Sequence, residues 1–189
     1  MSGQLTPISG PRRDAPPSKP TWRFVYSRPA HALALGFGSG LSPIAPGTVG
    51  TLLAWLSFAA LQPYLSDAHW AGLLVLGLFT GWWACTVTAR RLGAADPSCI
   101  VWDEVLAFWL VLWLVTPADI LTQCSAFALF RFFDAAKPGP VAWADAFFKA
   151  RHGADSALEI GWPQGWGILF DDLVAALCTL LVIALWRFI

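Results

Sequence analysis

Five carboxylates in this sequence stand in or against strongly apolar runs: Asp103 and Glu104 in VWDEVLAFWLVLWLVT, Asp134 in FRFFDAAKPGP, and Asp171 and Asp172 in GWGILFDDLVAA. A charged side chain at mid-membrane costs about 2.5–3.5 kcal/mol on insertion scales, so five isolated acids would cost on the order of 10 kcal/mol or more. They are tolerable near an interface, paired with bases, or bound to a metal. Carboxylates, backbone carbonyls and water suit Mg2+. Arg131 and Lys137 flank Asp134. A cation rimmed by two bases is what a phosphoryl group needs, because together they neutralise its charge and polarise it for attack. Structural readings stand beside this one. Arg131 and Asp134 are spaced i, i+3 and pair on a single helix face. Adjacent acids project about 100° apart around a helix, so one of each pair can face a site while the other caps a helix N-terminus.

A second stretch carries chemistry without charge. GFGSGLSPIAPGTVGT, residues 36–51, holds five glycines, two prolines and four hydroxyl residues. Glycine permits positive φ and close backbone approach, and proline fixes turns. Set before an apolar run, such a stretch can aim backbone N–H groups at an anion. It lacks the Gly-Lys-Ser/Thr ending of a P-loop and a preceding strand.

The elements that must position these groups are membrane helices. The chain of 189 residues is 57% hydrophobic and 13% charged, with mean hydropathy +0.58 and twelve tryptophans. Soluble domains run near 25% charged, and half that cannot cover a water-facing surface. The expected fold is an all-α polytopic membrane helical bundle, with about four to five apolar helices and a glycine-rich loop near the N-terminus. Residues 1–30 carry five bases against one acid, together with many prolines. They read as a flexible cytoplasmic arm by the positive-inside rule, leaving 31–189 as a single membrane-embedded domain.

The runs then alternate. A short first span ends at Leu61; Trp70–Ala89 is long enough to cross and closes on Arg90–Arg91. Shorter runs end at Pro117 and, with Arg131 and Asp134, at the KPGP of residues 137–140. A polar surface segment occupies 141–165, and Leu173–Trp186 is a final helix after a Gly165-Trp166-Gly167 turn. This topology returns the glycine-rich stretch and all three charged clusters to one cytoplasmic face. Outside that basic arm there is no positive cluster, and nothing supports a nucleic-acid partner. The four cysteines read as buried small hydrophobes, and His31, His69 and His152 as surface residues.

GFGSGLSPIAPGTVGT, VWDEVLAFW, FRFFDAAKPGP and GWGILFDDLVAA, in that order and spacing, resemble the phosphatidylglycerophosphatase A family over roughly residues 31–189. The resemblance implies a Mg2+-dependent lipid phosphatase of the bacterial inner membrane, with its active site on the cytoplasmic face. Its reaction would convert phosphatidylglycerophosphate to phosphatidylglycerol and inorganic phosphate. Carried over by position, the motifs match at Gly38, Ser39, Gly40, Gly47 and Thr48 for substrate binding. They match at Asp103, Glu104, Asp171 and Asp172 for metal, and at Arg131, Asp134 and Lys137 for catalysis. The chain departs from the family pattern by about a dozen extra residues around KARHGADSALEIGWPQ, and by Trp166 between two glycines. A CDP-alcohol phosphotransferase is the competing enzyme reading, but its Asp-Gly-x2-Ala-Arg motif is absent. A small transporter would need its acids well inside the spans rather than at their ends.

Overall fold

Helix boundaries follow local chemistry. The computed structural model describes residues 20–151 and 160–188, and these are all-helical. Two short helices, α1 (Trp22–Val25) and α2 (Pro29–Ala34), precede a 3-10 segment at Gly36–Leu41. Helix α3 (Pro46–Leu61) opens with proline at its first position, where no N–H is needed. Helix α4 (Asp67–Leu92) is capped by Ser66 reciprocally with His69, and stops at Gly93 with φ 70°. Helix α5 is Trp102–Val115. Helix α6 (Ile120–Ala136) starts where Asp119 accepts from the Thr122 N–H at 2.9 Å, and ends at Lys137 in the left-handed region. Helices α7 (Pro140–Arg151) and α8 (Trp162–Phe188) complete the chain.

The helices alternate in direction. Trp102 at the head of α5 donates its indole N–H to the Gly77 carbonyl of α4 at 3.0 Å, and its ring fills the space beside Gly81. Leu106, one turn on, meets Gly77, so α4 and α5 are antiparallel. Helix α8 descends α4 the same way, from Leu169 at Gly81, through Gly165 at Thr86, to the Ile160 carbonyl bonded by Arg90. Trp109 of α5 donates to the Ala54 carbonyl of α3 at 3.0 Å, while Val101 lies against Gly50, so these two run parallel. Helix α6 returns along both, with Gln123 accepting from Trp55 at 2.7 Å and Phe127 and Phe130 on Phe108. Most of α5 is buried, as an all-round apolar helix must be.

Several expectations are corrected. Two helices, α4 and α8, are long and apolar enough to cross a membrane, fewer than the expected four to five. At 26 and 27 residues they measure about 39–40 Å, whereas α3, α5 and α6 reach only about 21–26 Å. The glycine-rich stretch is not a loop. It is the 3-10 segment, a four-residue link and the first turns of α3. Helix begins at Trp22, inside the segment expected to be an arm, of which residues 1–19 lie outside the described residues. The Gly165-Trp166-Gly167 turn is helix, so α8 starts eleven residues before Leu173 and carries Asp171 and Asp172 within it. Part of the polar segment is α7; residues 152–159, with most of the extra insertion and His152, lie outside the description. His31 is buried against Phe24, and Cys124 is exposed.

Glycine at 165 is required by helix contact, because a Cβ there would meet the side chain and backbone of Thr86. Gly165→Ala should destabilise the fold by about 1–3 kcal/mol through overpacking. Gly72→Ala, where nothing lies within 4 Å, should be neutral or slightly stabilising. Thermal unfolding of the two variants in detergent measures the difference.

Candidate active site

Alternation places the heads of α3 and α5, the tail of α6 and the third turn of α8 together. Asp103 and Glu104 stand in the first turn of α5, where the helix dipole favours carboxylates. From α8, Asp172 reaches the same point. One carboxylate oxygen from each of Asp103, Glu104 and Asp172 lies within 4.8 Å of the others. Asp103 Oδ1, Glu104 Oε2 and Asp172 Oδ2 are buried and have no hydrogen-bond partner among the described residues. Buried polar atoms are normally paired, so three clustered acids that each keep an unpartnered oxygen fit a cation. Three hard oxygen donors suit Mg2+ better than a soft metal.

Two bases border this cluster, each held by its own acids. The Arg131 guanidinium pairs with Asp134 on its own helix and lies 3.9 Å from Glu104 Oε1. Its Nη1 also donates to the Thr51 hydroxyl at 3.5 Å. The Asp134 carboxylate lies beside those of Glu104 and Asp172. The Lys137 ammonium bridges Asp171 Oδ2 at 2.5 Å and Asp145 Oδ1 at 2.7 Å. Burial alone would depress the lysine, but Asp171 and Asp145 outweigh it and hold the ammonium above its ordinary range. A raised pKa keeps its contribution intact below the ordinary lysine value, and that contribution fades only as pH climbs past the raised one. Lys137 is therefore charged throughout the physiological range.

The glycine-rich stretch divides. Gly47, in the first turn of α3, lies against the cluster: a Cβ there would strike Glu104 Oε1 and come within 3.1 and 3.2 Å of the Arg131 guanidinium. Helix α3 has no side-chain N-cap, and Thr51 donates to the Gly47 carbonyl at 2.8 Å. The Gly47 and Thr48 N–H groups precede the first intrahelical bond, made by Val49, so they are available to an anion. Gly38, with φ 110°, instead accommodates the Trp22 ring, and Gly40 the Cys99 carbonyl. Ser39 stays beside Gly36. Of these three expected substrate contacts, Gly38 packs on α1, Gly40 on the segment that precedes α5, and Ser39 beside Gly36, which borders Val101 at the head of α5. Asp171, expected among the metal ligands, faces Lys137 rather than the orphaned cluster. Sequence reasoning left Thr51 and Asp145 without roles. Thr51 was legible as the last hydroxyl of the glycine-rich stretch, four residues beyond Gly47, whereas Asp145 had no signal beyond its place in a polar segment.

The model of the family described as Phosphatidylglycerophosphatase A matches residues 32–187. The chain belongs to the phosphatidylglycerophosphatase A family. A Phosphatidylglycerophosphatase A of Escherichia coli is 37% identical over 157 residues, covering 83% of each chain. One from Haemophilus influenzae is 33% identical over 166 residues, covering 88% of this chain and 93% of its own. A relative from Bacteroides thetaiotaomicron, provisionally named a phosphatidylinositol-3-phosphatase, is 35% identical over 164 residues, covering 83% and 92%. No solved structure matches the chain. Membership makes this protein a phosphoric monoester hydrolase acting in phospholipid metabolism.

Gly47 and Gly38 separate the two halves of the motif experimentally. Gly47→Ala displaces Glu104 and Arg131, and misplacement on the ångström scale can cost on the order of 100-fold in rate. Phosphatase turnover should fall about that far with little loss of folded protein. Gly38→Ala should lower the melting temperature while activity per folded molecule stays near wild type.

Proposed function

We propose that the protein hydrolyses the terminal phosphomonoester of phosphatidylglycerophosphate, giving phosphatidylglycerol and inorganic phosphate, with Mg2+ as cofactor. Phosphatidylglycerol is a precursor of cardiolipin, so the step belongs to anionic phospholipid synthesis. The observation that carries the reading is the convergence of the Asp103, Glu104 and Asp172 carboxylates, each with an unpartnered oxygen, beside the Arg131 guanidinium, in a chain of this family. Asp103, Glu104 and Asp172 would hold the cation. Bound there, Mg2+ supplies charge neutralisation and Lewis acidity to the phosphoryl group.

The remaining chemistry belongs to the chain. Arg131 offers a planar fork of donors to two phosphoryl oxygens, the geometry that favours arginine over lysine at phosphates. The Gly47 and Thr48 N–H groups, at the open head of α3, would add donors without charge. Lys137, kept protonated by Asp171 and Asp145, places a second positive charge behind the cluster. Asp134, oriented by Arg131, takes a proton from the attacking water. A P–O bond forms to that water as the bond to the glycerol oxygen breaks, and the proton returns to the departing alkoxide. The motif of an aspartate-nucleophile phosphatase is absent, and Cys124 and Arg131 lie too far apart in sequence for a cysteine-nucleophile loop. Both absences favour direct attack by water.

For location we infer a multi-pass protein of the bacterial inner membrane with its site on the cytoplasmic face. Arg23, Arg28, Arg90 and Arg91 lie at the site end of the bundle, while Asp67, in the first turn of α4, and Asp119, the cap of α6, lie at the other. The diacyl chains can then stay in the bilayer while the headgroup is processed.

The decisive assay is phosphate release from phosphatidylglycerophosphate by the purified protein in detergent, with Mg2+ or with excess chelator. Chelation should abolish turnover and Mg2+ restore it. Asp103→Asn and Asp172→Asn should each reduce kcat by about 100-fold or more. Full activity in both variants would overturn the metal assignment. Phosphatidylinositol 3-phosphate is the comparison substrate, because one relative carries that name; faster release from it would move the substrate assignment.

A further inference from the structure

Beside the heads of α3 and α5, helices α1 and α2 and the 3-10 segment carry an apolar patch that no part of the described chain covers. Trp22, Tyr26, Phe37 and Ile44 are 60%, 65%, 57% and 80% exposed. The patch is built rather than incidental. Trp22 and Tyr26 stack at 6.1 Å with their planes 10° apart. The Tyr26 hydroxyl donates to the Phe37 carbonyl at 3.2 Å, and the Trp22 ring fills the space that Gly38 leaves open. Phe37 itself has φ 55°, a conformation glycine adopts freely and a bulky residue rarely does. In a stretch so rich in glycine, a phenylalanine at that position with its ring turned outward points to use of the ring. Arg23 and Arg28 are exposed on the same two short helices.

We propose that this patch is an interfacial foot that seats the rim of the site in the headgroup layer of the leaflet holding the substrate. Aromatic rings with a polar tip prefer that layer, and bases beside them draw anionic headgroups. The patch flanks the Pro46–Gly47 entry to α3, so its depth sets the height at which a lipid phosphomonoester meets Arg131. Its chemistry fits an anionic bilayer surface: exposed aromatic rings, two with polar tips, are bordered by the exposed Arg23 and Arg28.

The inference rests on the reading that the site end faces a leaflet, and two measurements keep them apart. In the first, a nitroxide is attached at position 44 through Ile44→Cys, in a chain whose four native cysteines are replaced. In phosphatidylcholine vesicles containing phosphatidylserine, the label should be more accessible to oxygen than to a water-soluble nickel complex. An accessibility equal to that of a water-exposed label would overturn the foot, whatever the substrate proves to be. The second compares Phe37→Gly, which suits the local φ, and Ile44→Ser with the unmodified protein. KM for phosphatidylglycerophosphate in those vesicles should rise up to about tenfold with kcat retained. The rise should shrink in phosphatidylcholine alone, and a soluble short-chain substrate should show none. Unchanged KM in vesicles, or an equal loss on the short-chain substrate, would overturn the proposal. No turnover by the unmodified protein on any form of the substrate would instead count against the assigned reaction.

Discussion

Burying Asp103, Glu104 and Asp172 side by side in an apolar bundle is the constraint on which the rest of this structure depends. Each charge carries a desolvation penalty of several kcal/mol, and like charges at this range add to it. Arg131 lies near one member of the cluster, yet an oxygen on each of the three acids still has no partner. A positive charge from outside the chain would offset such a cluster, which is the physical content of the metal proposal. The surrounding architecture holds that cluster in place. Helix α5 brings two acids in its first turn, and α8 must pass close enough to bring the third.

Close passage is achieved with glycine and tryptophan together. Gly77 and Gly81 open a slot in α4 that takes the Trp102 ring, so the α5 head is locked next to α4 one residue before Asp103. Gly165 lets α8 approach Thr86, and Gly47 lets α3 approach Glu104 and Arg131. The indole N–H groups of Trp55, Trp102 and Trp109 each find an acceptor, which removes the penalty of burying them. These three tryptophans are thus interhelical fasteners. Trp22, Trp143 and Trp186, strongly exposed, retain the character a belt requires.

Much of this was legible from residue order. The convergence of Asp103, Glu104, Arg131, Asp134 and Asp172 followed from counting apolar runs and alternating their direction, which needs no side-chain detail. The helix count was less legible, because apolar character does not report length. Helices α3, α5 and α6 are apolar but short, and lie within a bundle framed by two long helices. The start of α8 was missed because two glycines around Trp166 look like a turn, whereas Gly165 is there for contact with Thr86. The glycine-rich stretch was treated as one functional unit because its residue types are uniform. Its halves face different neighbours, and only coordinates separate Gly47 at Glu104 from Gly38 at Trp22. Asp145 was invisible as a site residue because its partner, Lys137, lies across a chain reversal.

The pairing of the bases has its own consequence for how an anionic substrate enters. Arg131 and Lys137 are bound to different carboxylates on different helices, Arg131 to Asp134 and Lys137 to Asp145 and Asp171. Each base is held in position before substrate arrives, so little side-chain entropy is lost on binding. The pairing also leaves the pocket short of free positive charge, and a dianionic phosphoryl group would meet net repulsion from the acids. On the metal proposal, cation and substrate would favour each other's binding, since the cation would offset the cluster and the phosphoryl group the cation. The contacts of Arg131 run through its Nη1, so the rest of the guanidinium fork is left for a phosphate, whereas the Lys137 ammonium is shared between Asp145 and Asp171. On the metal proposal, the carboxylates that make the site costly in an apolar bundle would also tie phosphate binding to occupancy by the cation.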